Sequence, residues 1–213
     1  YLPKRFPGKN HDGRRILGVV VPTLEATVEK GFKNIGILGT SNIIEGGVYK
    51  QELQKIDPTI QIHQQAAPLL VPLIEDGGIK YAHDILTDYI APLKAKNVDS
   101  IILGCTHYPY LKNIIAGIAN EGISDSPDQE IAILSQDTLI PDKLEEYLDN
   151  HPEISKILSR TSKSEFFVTD ITQTYRESAN EIYRGPVDLN LVELPRYNDE
   201  DDYAPNLKRL SRS

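Results

Sequence analysis

Methionine and tryptophan are absent from the 213 residues, and cysteine occurs once. A single cysteine excludes an intrachain disulfide and any cysteine-cluster zinc site. With Met at 0 and Tyr1 as the first residue, no residue can be the initiator, so a processed or partial chain is expected. The opening stretch YLPKRFPGK carries no apolar segment of the signal-peptide kind. Long hydrophobic runs are missing too. Runs such as VVVP at 19–22 and IILG at 101–104 fall far short of the roughly 20 apolar residues of a membrane span. Positive charge is in deficit: 23 Lys and Arg face 31 Asp and Glu, a net charge of -8. That balance argues against general nucleic-acid binding, which depends on cations neutralising phosphates. No two of the five histidines stand at metal-ligand spacing.

What is present is an ordinary globular composition, 39% hydrophobic and 25% charged. The length allows one large domain or two of roughly 100 residues each. Residues 1–13 read as an irregular lead-in. RILGVVV at 15–21 reads as a buried strand, followed by a helix that Pro22 and Thr23 open and Gly31 ends. NIGIL at 34–38 is a second strand, followed by a helix carrying Tyr49, Leu53 and Ile56 that Pro58 stops. TIQIH at 59–63 alternates as a third strand. A long amphipathic helix is expected over 79–96, with Ile85, Leu86, Tyr89 and Leu93 on one face, then a fourth strand at 98–104. A helix runs from Pro109 to about 120, and 121–130 is a polar connection. IAILS at 131–135 and EFFVTD at 165–170 are further strands, with helices near 138–150 and 171–184. Such alternation signals an α/β fold with a parallel, doubly wound sheet.

Counting strands divides the chain. Residues 14–127 read as one complete α/β domain. Residues 128–195 read as part of a second, because two parallel strands cannot close a core alone. Residues 196–213 read as a disordered polar tail holding Asp199, Glu200, Asp201 and Asp202.

The chemistry concentrates in IILGCTHYPYLKN at 101–113. A buried strand ends at Gly104, Cys105 and His107 follow at once, and Pro109 suits the first turn of the next helix. Ligands of open α/β sheets bind outside the carboxyl ends of the strands. A helix N-terminus there favours a thiolate or a substrate carboxylate. A lone cysteine is usually a small buried hydrophobe. The glycine before it, Thr106 and His107 beside it, and the strand-to-helix position favour function instead. His107 on its own could equally cap the helix. Glu75 follows the apolar run PLLVPLI and precedes two glycines. It reads either as an acid or orienting group with a raised pKa or as a solvated helix end. The loop Gly39-Thr40-Ser41-Asn42 also follows a strand, and its N–H groups could hold an anion. His63 ends a strand, and His11, His83 and His151 have no consistent partners.

LGCTHYP at 103–109 resembles the C-terminal motif of glutamate racemases. The similarity continues through VVVPTLEATVEK (19–30), GILGTSNIIEGGVYKQEL (36–53), PLLVPLIEDG (68–77) and SEFFVTD (164–170). A related GCTH motif occurs in aspartate racemases; the PLLVPLIE element and the strand spacing favour the glutamate enzyme. The resemblance implies a flavodoxin-like pair of pseudo-symmetric α/β domains. It also implies cofactor-independent interconversion of L- and D-glutamate by two cysteines, one on each face of the substrate Cα, with neither pyridoxal phosphate nor a metal. Cys105 matches the second of these cysteines. Thr106 and His107 match substrate-contacting positions, His107 also assisting the thiol, and Glu75 matches an acidic residue supporting that side. Thr40 is expected to touch substrate from the loop after the second strand. The family's role implies a cytoplasmic enzyme supplying D-glutamate for peptidoglycan, commonly a homodimer, acting on glutamate rather than on nucleic acid or membrane.

The departures are as informative. The family's Asp-Ser and Cys-Asn-Thr motifs have no counterpart here, since Cys105 is the only cysteine. A chain lacking one of two acid–bases is expected to be inactive alone. The competing readings are an aspartate racemase-like enzyme and a non-catalytic domain that binds a small carboxylate.

Overall fold

A computed structural model describes residues 17–122, 130–159, 161, 163–193 and 208–209. They form two compact units, divided between Lys156 and Ile157. The lead-in 1–13, most of the 121–130 connection and most of the 196–213 tail lie outside the described residues.

The first unit begins with α1 (Val20–Glu29), β1 (Asn34–Gly39), α2 (Ser41–Gly46) and α3 (Val48–Ile56). β2 (Gln61–Ala66), α4 (Leu70–Glu75), a 3-10 turn at Ile79–Tyr81 and α5 (Ala82–Lys94) follow. β3 (Ser100–Leu103), a second 3-10 turn at Tyr108–Leu111 and α6 (Lys112–Asn120) come next. β4 (Ala132–Ser135), α7 (Gln136–Asn150) and α8 (Pro152–Ser155) complete it. The strands form one parallel sheet in the order β2-β1-β3-β4, with Ile35 opposite Ile62, Leu38 opposite Leu103, and Leu103 opposite Ser135.

Side-chain alternation along the strands builds a core on each face. Ile35, Ile37, Ile102 and Leu134 pack with Leu24 of α1, Tyr49 and Leu53 of α3 and Leu139 of α7. Leu38, Ile101 and Leu103 point to the other face and pack with Leu70, Leu86, Ile90, Leu93, Leu111 and Ile115. Each fully buried aliphatic side chain contributes roughly 1.5–3 kcal/mol. At the opposite end of the strands from the candidate site, Asp99 ties β1 to β3. Its Oδ2 accepts from the N–H groups of Lys33 at 2.6 Å and Asn34 at 2.8 Å.

Three expectations change. First, Val19–Val21 is not a strand: helix α1 starts at Val20. The apolar positions Val20, Leu24 and Val28 recur at helical spacing and face the core. Pro22 falls in the first turn, where its missing N–H costs no hydrogen bond. The buried hydroxyls of Thr23 and Thr27 donate to the carbonyls of Val19 and Thr23 at 2.7 and 2.6 Å. Gly31, at φ +87, ends the turn after the helix as expected.

Second, β2 starts at Gln61 rather than 59. Asp57 Oδ1 accepts from the Thr59 N–H at 2.9 Å and its hydroxyl at 2.6 Å, which keeps 57–60 in a turn. Third, the segment at 131–135 belongs to the first sheet, not to a second domain: β4 pairs in parallel with β3. The four-stranded sheet thus draws its last strand from beyond residue 127.

The second unit holds β5 (Phe166–Val168), α9 (Gln173–Tyr183), β6 (Leu189–Glu193) and β7 (Lys208–Arg209). β5 and β6 are parallel, β6 and β7 antiparallel. β6 and β7 were not expected from the sequence; Leu189 and Val192 bury in β6, while Lys208–Arg209 falls within the segment expected to be disordered. Thr172 caps α9 by accepting from the Tyr175 N–H at 3.1 Å. Phe166 packs edge-on to Tyr183 with ring centroids 5.1 Å apart. Phe167, Tyr175 and Ile182 stay exposed, as expected of a βαβ unit with few strands.

Candidate active site

In the first unit β1 leads to its neighbour β2 on one side, and the chain then returns to lay β3 on the other side of β1. The loops after β1 and β3 therefore diverge at the carboxyl edge of the sheet. That divergence opens the crevice where α/β sheets bind ligands. Thr40 follows β1, and Cys105, Thr106 and His107 follow β3. The Gly104 N–H donates to the Leu38 carbonyl at 2.8 Å, holding the start of the second loop level with the end of β1.

Gly104 lets the end of β3 lie close to β1 here. A Cβ on it would lie 3.3 Å from the Leu38 carbonyl oxygen and 3.4 Å from both Ile37 Cγ2 and Tyr49 Cε2. Cys105 comes next, partly buried against the apolar core. Tyr108–Leu111 continues as a 3-10 turn before α6, so the helical segment opens with a tight turn rather than at Pro109 itself.

The side chains Cys105, His107 and Glu75 form a chain. Cys105 Sγ lies 4.0 Å from His107 Nδ1, and His107 Nε2 lies 3.0 Å from Glu75 Oε1. An ionised carboxylate only accepts, so the Glu75 contact places a hydrogen on Nε2. In the neutral ring Nδ1 then carries a lone pair on the side of the thiol. The 4.0 Å separation is long for a hydrogen bond, at the outer limit of a sulfur–nitrogen contact. The Glu75 and His107 side chains are 60% and 35% exposed. An ion pair that open contributes about 0–1 kcal/mol to stability. Its consequence is orientation of the imidazole. α4 delivers Glu75 from its last position, and contacts between α4 and the 108–111 turn bring it to His107.

The sequence-derived set is thus partly assembled. Cys105, His107 and Glu75 meet; Thr106 is exposed on the same loop; Thr40 is partly buried at the start of α2, with no side-chain bond capping it. Sequence reasoning missed two buried phenols beneath the thiol. Tyr108 donates its hydroxyl to the Ala67 carbonyl at 2.8 Å, and Tyr49 accepts from Gln136 Nε2 at 2.8 Å. Burial, then the adjoining Cys105, push the Tyr108 hydroxyl pKa well above the ordinary phenol value. Burial also raises that of Tyr49, with the Gln136 hydrogen bond opposing and Cys105 adding to the rise. Tyr108 could have been found from its place beside the CTH motif. The Tyr49–Gln136 pair spans 87 positions and leaves no local signal.

Among the described residues no cluster of three or more His, Cys, Asp or Glu could hold a metal ion. Nor is any described helix long and apolar enough to cross a membrane.

No protein-family model matches the chain. A glutamate racemase of a Sulfurihydrogenibium species is 33% identical over 182 residues, 84% of this chain and 64% of the relative. The crystal structure of a glutamate racemase isoform from Bacillus anthracis superposes with a TM-score of 0.70 at 25% identity, over 84% of this chain and 65% of that one. The enzyme from Francisella tularensis, solved in complex with D-glutamate, has the same fold, with a TM-score of 0.68 at 24% identity over 81% of this chain and 62% of that one. The chain is similar to glutamate racemases along most of its own length, and it spans 64% of the length of the Sulfurihydrogenibium relative.

Proposed function

We propose that this chain provides one proton-transfer face of a glutamate racemase, with Cys105 as the proton carrier. The observation that carries the reading is the Cys105–His107–Glu75 chain at the switch point of the sheet. Racemisation removes the α-proton on one side of the substrate Cα and returns a proton on the other. One group cannot reach both faces of a planar carbanion, so two carriers are needed. Cys105 serves one face: as thiolate it takes the α-proton of one enantiomer, and as thiol it protonates the carbanion on the way back. His107 Nδ1 relays or holds the thiol proton, and Glu75 fixes the ring. Thr40 and Thr106, on the two diverging loops, hold the substrate carboxylates and ammonium. The second carrier comes from outside these residues, because the sequence has a single cysteine. No cofactor enters this scheme, and the D-glutamate formed serves the cell wall.

The test joins this chain to the part of the Sulfurihydrogenibium relative that it does not match. Circular dichroism of L-glutamate with the joined protein should decay to that of the racemate. The same protein carrying Cys105→Ala should leave it unchanged while still binding glutamate. Racemisation by the alanine variant at the parent rate would remove Cys105 from the reaction.

A further inference from the structure

Among the described residues, two hydrogen bonds join the loop after β3 to the segment that ends in Glu75. One is the exposed Glu75–His107 contact at 3.0 Å. The other is buried: the Tyr108 hydroxyl donates to the Ala67 carbonyl at 2.8 Å. Tyr108, Ala67 and Leu70 are fully buried and share one apolar cluster. Because β1 lies between β2 and β3, the buried bond ties loops that belong to strands two places apart.

Ala67 is where these loops are laced together. Its N–H donates to the Gly39 carbonyl at 2.8 Å, at the end of β1. Its carbonyl accepts from the Leu70 N–H at 3.2 Å, at the start of α4, as well as from Tyr108. α4 has six residues, so Glu75 stands less than two turns from this point. At the other end of the bond, Tyr108 directly follows His107. The Tyr108 N–H donates to the Cys105 carbonyl at 3.2 Å, and the Tyr110 N–H to the His107 carbonyl at 3.2 Å. A short hydrogen-bonded path therefore runs from each end of the buried bond to one partner of the exposed one.

We propose that Tyr108 is a positioning residue: by bonding Ala67 it holds the start of α4 against the Cys105–His107 loop, so that Glu75 meets His107 and keeps the ring turned to the thiol. An exposed pair such as Glu75–His107 is too weak to fix its own geometry. Apolar packing of Leu70 and Leu111 draws the two segments together, but it is non-directional. The phenol bond is the directional element, and burial strengthens it. The inference rests on reading Cys105, His107 and Glu75 as the proton-handling chain.

The single cysteine makes the test direct, because iodoacetamide alkylation of the 213-residue chain reports Cys105 alone. Rates near neutral pH are compared for the parent, Glu75→Gln, Tyr108→Phe and the double variant. Glu75→Gln removes the carboxylate that supports an imidazolium beside the thiolate. It should slow alkylation about threefold, an effect of the size an exposed ion pair allows. Tyr108→Phe should slow it by a similar factor, and the double variant should be no slower than either single one, since both break one link. In a His107→Gln background Tyr108→Phe should leave the rate unchanged. Tyr108→4-aminophenylalanine, which keeps a donor, should restore the parent rate. If Tyr108→Phe does not fold, Tyr108→4-fluorophenylalanine fills the site without donating and takes its place. No slowing by either single variant, slowing factors that multiply in the double variant, or a Tyr108→Phe effect that persists without His107 would overturn the proposal. No glutamate enters the assay, so these outcomes are read apart from racemisation by the joined protein, which tests the function itself.

Discussion

Replacing Gly104 with alanine asks whether the approach of β3 to β1 beneath the thiol is as tight as the structure has it. The new methyl would meet the Leu38 carbonyl oxygen at 3.3 Å, Ile37 Cγ2 at 3.4 Å and the Tyr49 ring at 3.4 Å. None of the three gives way easily. The carbonyl is anchored by the Gly104 N–H itself at 2.8 Å, Ile37 is fully buried, and Tyr49 is tethered by Gln136. Overpacking of this kind costs about 1–3 kcal/mol. Gly117→Ala is the matched control. It lies inside α6 with nothing within 4 Å of an added Cβ, so it should stabilise by about 0.5–1 kcal/mol. Urea unfolding followed by circular dichroism should lower the midpoint for Gly104→Ala by roughly half to one molar and raise it for Gly117→Ala. Equal midpoints for Gly104→Ala and the parent would show that the turn has room the distances deny it.

Other outcomes follow from the same geometry. Tyr108→Phe removes one of two donors to the Ala67 carbonyl, leaving the Leu70 N–H at 3.2 Å, and should cost about 0.5–1.5 kcal/mol in urea unfolding. Asp99→Ala frees two backbone N–H groups at the start of β1; charged acceptors of this kind are worth about 1.5–3 kcal/mol each, so a comparable loss of stability is expected. The Asp57 carboxyl is lowered from 3.8 to about 2, by the Thr59 hydroxyl first, then by the Thr59 N–H and Lys33. A depressed carboxylate stabilises the fold above its unfolded pKa and loses that contribution as pH falls towards its folded one. Asp57→Asn should therefore flatten the acid side of the stability–pH curve between about pH 4 and pH 2, with little change near neutrality. The 213-residue chain alone should not change the circular dichroism of L- or D-glutamate. A measurable decay above a Cys105→Ala control would reveal a second acid–base within it.

Much of the fold was legible because the strands β1, β3 and β4 are short apolar runs between helical patterns, which only a two-faced parallel sheet buries. Val19–Val21 misled because three β-branched residues in a row have the composition of a strand. Their partners Leu24 and Val28 show the helical period only when the window extends past Pro22. The polar strand β2 kept its place but shifted its start, since the Asp57–Thr59 turn is a side-chain event with no hydrophobic signature. The assignment of β4 to the first sheet is a pairing choice between distant segments, invisible to any local pattern. At the site, Cys105 and His107 were readable from one heptapeptide. Glu75 was readable as a candidate, while its 3.0 Å approach to His107 depends on where α4 ends. Tyr49 and Gln136 join through the tertiary fold alone.

The most direct measurement is solvent-deuterium incorporation at the glutamate Cα, read by mass spectrometry in the joined protein with Cys105→Ala. If Cys105 serves one face, the variant loses racemisation. Any remaining exchange is then confined to the single enantiomer whose α-proton faces the other carrier. Undiminished exchange from both D- and L-glutamate would contradict the assignment of Cys105 as a proton carrier.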